Sequence, residues 1–248
     1  MTFLTSNAIL AIDNISLYYG GVPALVEVSL NIAPGERRGI IGPNGAGKTS
    51  LFNVISGWAL PDTGVVVLDG REIQNRPVDR IVRSGLARTF QHAQLCWTLS
   101  VRQNVELAVR ARRLHQNTAQ EVERILALIG LVGIAEQPVE DLSYGSQKQT
   151  EIAVALATAP RVLLLDEPTA GLSSTETAEM LKVLRGLPED LTIVLIEHDM
   201  DVLFGLAKNV TVLEAGRVIF DGTAAEVQRA ECVREAYFGH QASNKELQ

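Results

Sequence analysis

"GPNGAGKT", Gly42 to Thr49, is the stretch that decides the fold. It has the spacing G-x-x-x-x-G-K-[ST], and its neighbours supply the context that spacing needs. The apolar run "RRGII" before it reads as a strand. A helix from Lys48 to about Ser56 follows, with Leu51, Phe52 and Ile55 on its buried side. Glycines let successive N–H groups turn inward around phosphate oxygens, and a helix N-terminus adds a favourable dipole. Lys48 then reaches β- and γ-phosphates, and the Thr49 hydroxyl ligates Mg²⁺. The cradle comprises Gly42, Pro43, Asn44, Gly45, Ala46, Gly47, Lys48, Thr49 and Ser50. A chance glycine turn explains the octapeptide alone, but not the strand before it and the helix after it. The stretch is a nucleotide site.

Upstream, "AILAID", "ISLYY", "LVEVSLNI" and "RRGII" alternate apolar and polar residues and read as strands. Turns fall at Gly20-Gly21 and Pro34-Gly35. Downstream, "GVVVLDG" is another strand, and Pro77 suits the first turn of a short helix running to Ser84. From about Thr98 the pattern turns helical. "SVRQNVELAVRARRL" has Ser100 as its cap, and "NTAQEVERILALIGL" places Val122, Ile125, Leu126 and Ile129 on one face. A third helix opens in "LSYGSQKQTEIA", with Ile152, Ala153 and Leu156 apolar. Strand and helix then alternate again, and capping boxes Ser173/Glu176 and Thr223/Glu226 mark two helix starts. The expected organisation is one domain over 1–248. Residues 1–91 and 161–248 form an α/β core with an N-terminal antiparallel β subdomain, and 92–160 form a helical insertion.

"RVLLLDEP", Arg161 to Pro168, is a buried strand ending in two acids. A carboxylate at such an edge is costly unless a cation meets it. Asp166 suits Mg²⁺ binding, and Glu167 suits positioning or deprotonating an attacking water. "LTIVLIEH" sets His198 at the matching end of the next strand, where it can donate to a γ-phosphate. A surface acid and an ordinary loop histidine are the bland alternatives, which the phosphate loop makes weaker.

Composition is that of an ordinary globular chain: 46% hydrophobic and 21% charged. Its apolar runs are too short to cross a bilayer, and the N-terminus lacks a basic, apolar leader. Two cysteines, Cys96 and Cys232, show no metal-ligand spacing and fit a reducing compartment. The net charge of −7 argues against nucleic acid as the main partner. Between Arg71 and Arg113 stand nine arginines and only Glu72, Asp79 and Glu106 as acids. That window is either a solvated face or a surface that docks another protein near a membrane.

In order and spacing these pieces resemble the nucleotide-binding subunit of ATP-binding cassette (ABC) transporters over nearly the whole chain. The resemblance rests on Tyr19, "GPNGAGKT", "RTFQ" at 88–91, "LSYG" at 142–145, "LLLDEP", "AGLS" at 170–173 and His198. It implies a RecA-like P-loop NTPase core, with ATP and Mg²⁺ bound and ATP hydrolysed. It also implies that Tyr19 stacks on adenine and that Gln91 approaches Mg²⁺ and the attacking water. "LSYG" matches the Leu-Ser-Gly-Gly signature at Leu142, Ser143 and Gly145, and "AGLS" occupies the D-loop. In this family the signature loop of one subunit covers the ATP held by another. Ser143, Tyr144 and Gly145 would therefore act in trans, in a homodimer or a heterodimer with a paralogue.

Three residues depart from the pattern. Tyr144 replaces the usual first glycine, Ser146 stands where glutamine is usual, and Ser173 replaces the common D-loop Asp. Tyr144, with "IEHDM" and "VREAYFG", resembles the branch that energises importers of branched-chain and hydrophobic amino acids, whose relatives carry urea, amides or organic acids. The resemblance thus implies transmembrane permease partners, a periplasmic solute-binding protein acting indirectly, and a cytoplasmic place on the inner membrane face. A soluble ABC clamp on nucleic acid or ribosomes would show two cassettes or a long coiled-coil insertion. An exporter subunit is the other alternative. A kinase or GTPase on the same core leaves the signature loop unexplained.

Overall fold

The computed structural model describes residues 8–90, 94–112 and 117–231. Gln91, Cys232 and "VREAYFG" lie outside the described residues. The chain divides into two units, residues 1–81 with 192–248, and residues 82–191.

In the first unit, β1 (Leu10–Tyr19) and β2 (Val22–Ile32) form an antiparallel hairpin closed by Gly20-Gly21. Two glycines suit the tight turns that match strand twist. The runs "AILAID" and "ISLYY" are one strand rather than two. The ladder shifts register between Ile12 and Ile15, and Asn14 lies there at φ 52. That local left-handed residue breaks the alternation without ending the strand. On the other side of β1 lie β4 (Thr63–Leu68) and then β5 (Arg71–Glu72), giving the order β2-β1-β4-β5.

The same unit holds a second set of strands. β3 (Arg37–Ile41) runs parallel between β8 (Thr192–Ile196) and β9 (Asn209–Glu214), and β10 (Arg217–Thr223) closes against β9 antiparallel. Ile40, Val194, Leu195, Val210 and Val212 are fully buried. A strand covered on both faces loses its polar alternation, which explains the unbroken apolar run "TIVLI". Arg38 is the exception, only 6% exposed. Its guanidinium donates to Glu36 (2.7 Å), to Thr211 (3.0 Å) and to Asp221, so two carboxylates and a hydroxyl satisfy the buried charge. Helix α1 (Lys48–Ile55) follows β3 and buries Leu51, Phe52, Val54 and Ile55. Short helices α7 (Met200–Leu206) and α8 (Ala224–Val227) complete the unit, α2 (Val78–Arg83) runs across its boundary at Ile81, and Thr223/Glu226 forms the expected capping box of α8.

In the second unit, β6 (Leu86–Arg88) pairs parallel with β7 (Val162–Asp166). Helices α3 (Val101–Ala111), α4 (Thr118–Ile129) and α5 (Tyr144–Ala157) pack on one another. Val101, Val105 and Val109 of α3 meet the α4 stripe Val122, Ile125, Leu126 and Ile129 in that core. Ser100 caps α3 in a reciprocal box with Gln103. Helix α6 (Ser174–Arg185) starts from the expected Ser173/Glu176 box. Among the described residues no helix is long and apolar enough to cross a membrane.

Phe52 is fully buried. Truncation to Ala should therefore cost about 3–5 kcal/mol. Urea unfolding should show this as a lower midpoint with an unchanged slope; a shift worth less than 1 kcal/mol would mean the site collapses around the void.

Candidate nucleotide-binding and hydrolytic site

The phosphate loop sits between β3 and α1, as its sequence requires. Gly47 caps α1 in the left-handed region (φ 101), with no side-chain cap and no acid in the first turn. The helix N-terminus is thereby left to an external anion. Side chains are excluded from the loop's outer wall. A Cβ on Gly47 would lie 2.5 Å from the Ala24 carbonyl, and one on Gly42 would lie 2.1 Å from the Leu213 carbonyl. The Gly216 N–H donates to the Ala46 carbonyl (3.0 Å) and so ties the β9–β10 turn to the loop. Lys48 is 7% exposed, and its ammonium donates to the carbonyls of Gly42 (2.6 Å) and Pro43 (3.1 Å). The charge is thus held inside the curve of the loop. Asn44, Gly45 and Thr49 are exposed, Pro43, Gly47 and Ser50 half-buried, and Ala46 buried.

Two other expected residues lie within the same unit. Tyr19 is 52% exposed at the closed end of the β1–β2 hairpin, five residues from the Ala24 that walls Gly47. His198 follows β8, and β8 is the parallel neighbour of β3 with Ile40 opposite Ile196. His198 and the loop therefore leave from the same strand edge, where open α/β sheets bind ligands. His198 is exposed, and its N–H donates to the buried Glu197 carboxylate (3.0 Å).

In the second unit the parallel pair β6–β7 delivers Phe90 and Asp166 to one edge. A cation that the sequence did not point to meets this acid from within the chain. Arg88 donates to Asp166 at 2.8 Å, and the two side chains are 5% and 7% exposed. The Asp166 N–H meets the Thr89 hydroxyl at 3.3 Å. Glu167, half-buried, stands at φ 50, a conformation that costs a non-glycine residue roughly 1–3 kcal/mol and clusters at functional sites. Glu151 of α5, 6% exposed, accepts the Phe90 N–H at 2.6 Å, one residue before Gln91. Burial pushes its carboxyl above the ordinary range; the Phe90 N–H and Lys148 oppose that shift, and the Asp166 charge adds to it.

The signature segment lies at the start of α5. Ser143 is the exposed N-cap, its Oγ accepting from the Ser146 N–H at 3.3 Å. Tyr144 is exposed and Gly145 buried. Ser173 caps α6, as its hydroxyl allows.

Sequence reasoning missed Arg88 and Glu151. Arg88 belongs to the arginine-rich window 71–113, yet its side chain is buried. Several neighbours in that window are also matched: Arg102 with Glu123 and Glu136, Arg110 with Glu106. The available signal was a charge inside an apolar setting: Arg88 beside "LA", and Glu151 beside "IAVALA".

Hard divalent cations take oxygen donors, usually completed by phosphates and water. The Thr49 hydroxyl and Asp166 carboxylate are donors of that kind. Among the described residues no cluster of three or more His, Cys, Asp or Glu forms a cage from protein alone. Each unit thus holds an oxygen donor of the kind that Mg²⁺ takes, and a nucleotide's phosphates would complete such a set.

A glycine loop of this spacing between a parallel strand and a helix defines a P-loop nucleoside triphosphatase. More narrowly, the chain belongs to the ABC transporter family, whose model matches residues 25–170. It is 34% identical to the high-affinity branched-chain amino acid transport ATP-binding protein LivG of Salmonella typhimurium, over 94% of this chain and 99% of that protein. Its fold matches an ATP-binding cassette of an ABC transporter in its ADP conformation, with TM-score 0.82, 29% identity, and coverage of 94% and 99% of the two chains. It also matches a dimeric post-hydrolysis cassette bound to ADP and Pi, with TM-score 0.77, 26% identity, and coverage of 87% and 98%. The expected family, α/β P-loop fold and ATPase class are therefore borne out.

Two outcomes test this chemistry. Lys48→Ala should abolish the rise in melting temperature that Mg-ATP gives the wild type; an unchanged rise would place the nucleotide elsewhere. Arg88→Met leaves a buried carboxylate unpaired and should cost about 3–5 kcal/mol in denaturant unfolding. A neutral result would show that Asp166 gains solvent when its partner leaves.

Proposed function

We propose that this chain is the ATP-hydrolysing motor subunit of an importer for branched-chain or other hydrophobic amino acids, or for a related small polar solute. The likeness to LivG along almost the full length of both chains supports the cargo class. The observation that carries the working cycle is the entrance to α5. Ser143 and Gly145 form a capped helix N-terminus about a hundred residues after the phosphate loop, with no nucleotide role in its own sequence neighbourhood. A helix start of that build suits the γ-phosphate of an ATP held by a second subunit.

In this reading each copy lends half of each site. The loop Gly42–Ser50 binds phosphates, Tyr19 stacks on adenine, and Thr49, Asp166 and Gln91 supply oxygens to Mg²⁺. The ion, when bound, neutralises developing charge on the phosphates. Glu167 positions the attacking water and takes its proton. His198 donates to the γ-phosphate. Ser143, Tyr144 and Gly145 close over the same nucleotide from the opposite subunit, on a helical insertion spanning 92–160. After hydrolysis the γ-phosphate contacts are gone and the pair opens. The second subunit is another copy or a paralogue. The pair works beneath transmembrane permeases on the inner membrane face, and a periplasmic solute-binding protein supplies the cargo.

Glu167→Gln keeps the shape of the acid and removes its basicity. The variant should bind Mg-ATP normally, lose at least 100-fold in turnover, and elute as a dimer in size-exclusion chromatography with Mg-ATP. A variant that stays monomeric at saturating Mg-ATP would overturn the shared-site reading for the isolated subunit.

A further inference from the structure

The amide assigned to the γ-phosphate already faces an anion of this chain. Glu176 Oε1 accepts from the Gly145 N–H at 3.3 Å. Its Oε2 accepts from the Ser173 N–H at 3.0 Å and from the Ser173 hydroxyl at 2.8 Å. One carboxylate thus spans the signature loop and the D-loop. It also packs closely: a Cβ on Gly145 would lie 2.9 Å from Oε1 and 3.2 Å from both Cγ and Cδ of Glu176. A second contact joins the same two loops, because a Cβ on Gly171 would lie 3.1 Å from the Tyr144 ring.

These contacts connect two departures from the family pattern. Tyr144 supplies a ring that covers Gly171. Ser173 supplies a hydroxyl that donates to Glu176, whereas an Asp there would set a second negative charge about 3 Å away, which like-charge repulsion opposes. The substitutions at 144 and 173 are complementary parts of one junction.

We propose that Glu176 is a positioning residue whose carboxylate holds the Gly145 amide until an incoming γ-phosphate replaces it. The proposal rests on the reading that Gly145 meets the ATP of a second subunit. Two anions cannot share one N–H donor at close range without repulsion, so dimer closure requires the Glu176 carboxylate to turn away. It keeps a place to go, since Oε2 remains bonded to Ser173. The Ser173 N–H, then its hydroxyl, then the Gly145 N–H hold this carboxyl below the usual range, so it is ionised at neutral pH. The contact sets a threshold: nucleotide alone does not close the pair until the phosphate outcompetes the carboxylate.

The test uses the full chain carrying Glu167→Gln, so that hydrolysis does not disperse the dimer. Sedimentation velocity at saturating Mg-ATP gives the dimer dissociation constant. Adding Glu176→Gln removes the charge and keeps an N3 side chain able to complete the capping box. The dissociation constant should fall at least fivefold, with monomer affinity for Mg-ATP unchanged within twofold. Glu176→Asp, one methylene too short for Gly145, should move it in the same direction, and it decides the matter if the Gln variant melts early. An unchanged or weaker dimer in a variant of normal melting temperature overturns the proposal. If the Glu167→Gln parent does not dimerise at all, the shared-site reading fails first and this proposal falls with it; a dimerising parent with an unresponsive Glu176 refutes only the latter.

Discussion

A backbone N–H that must face a phosphate cannot also be spent in a sheet ladder or a helix. The loop between β3 and α1 is built around that constraint. Its chain leaves a parallel strand buried from Arg38 to Ile41, curls through glycines, and enters a helix whose first turn has neither a side-chain cap nor an acid. Everything near it follows from keeping those donors available. The Lys48 ammonium occupies the inside of the curve, where it donates to the Gly42 and Pro43 carbonyls. His198 leaves the next parallel strand at the same edge because β3 and β8 share register.

The second unit handles buried charge by a related economy. Asp166 closes an apolar strand, and isolated there it would be costly. Arg88 meets it from the neighbouring strand, and Glu151 meets the backbone one turn further on. The acid is thus held in place by the strand that leads to Gln91. Lys148, 3% exposed, lies on the same helix as Glu151, so α5 brings both signs of charge inward. Paired in this way, the Arg88 and Asp166 charges fix geometry more than they add stability.

Sequence reading reached the phosphate loop, the strand-end acids and the capping residues because each has a local rule: glycine spacing, an abrupt end to an apolar run, or an S/T-x-x-E box. It missed what local rules do not encode. β6 is three residues long, "LAR", and its partner lies some seventy residues onward, so no periodicity marks it. The kink at Asn14 made one strand look like two. In α5 the apolar face Ile152, Ala153 and Leu156 was visible, but Lys148, Thr150 and Glu151 are buried too. Periodicity ranks residues by polarity and cannot see a polar group that is matched inside. The bond from Glu176 to Gly145 escaped notice for a similar reason, since the capping box already accounted for that residue.

The left-handed backbone at Glu167 carries one more implication. Glycine would adopt that conformation without strain, so the fold by itself favours a residue that cannot perform acid–base chemistry. A lineage released from the need to hydrolyse ATP would drift toward glycine here and gain stability as it lost turnover. Under the role proposed for Glu167, keeping an acid at this torsion carries a stability cost that glycine would escape.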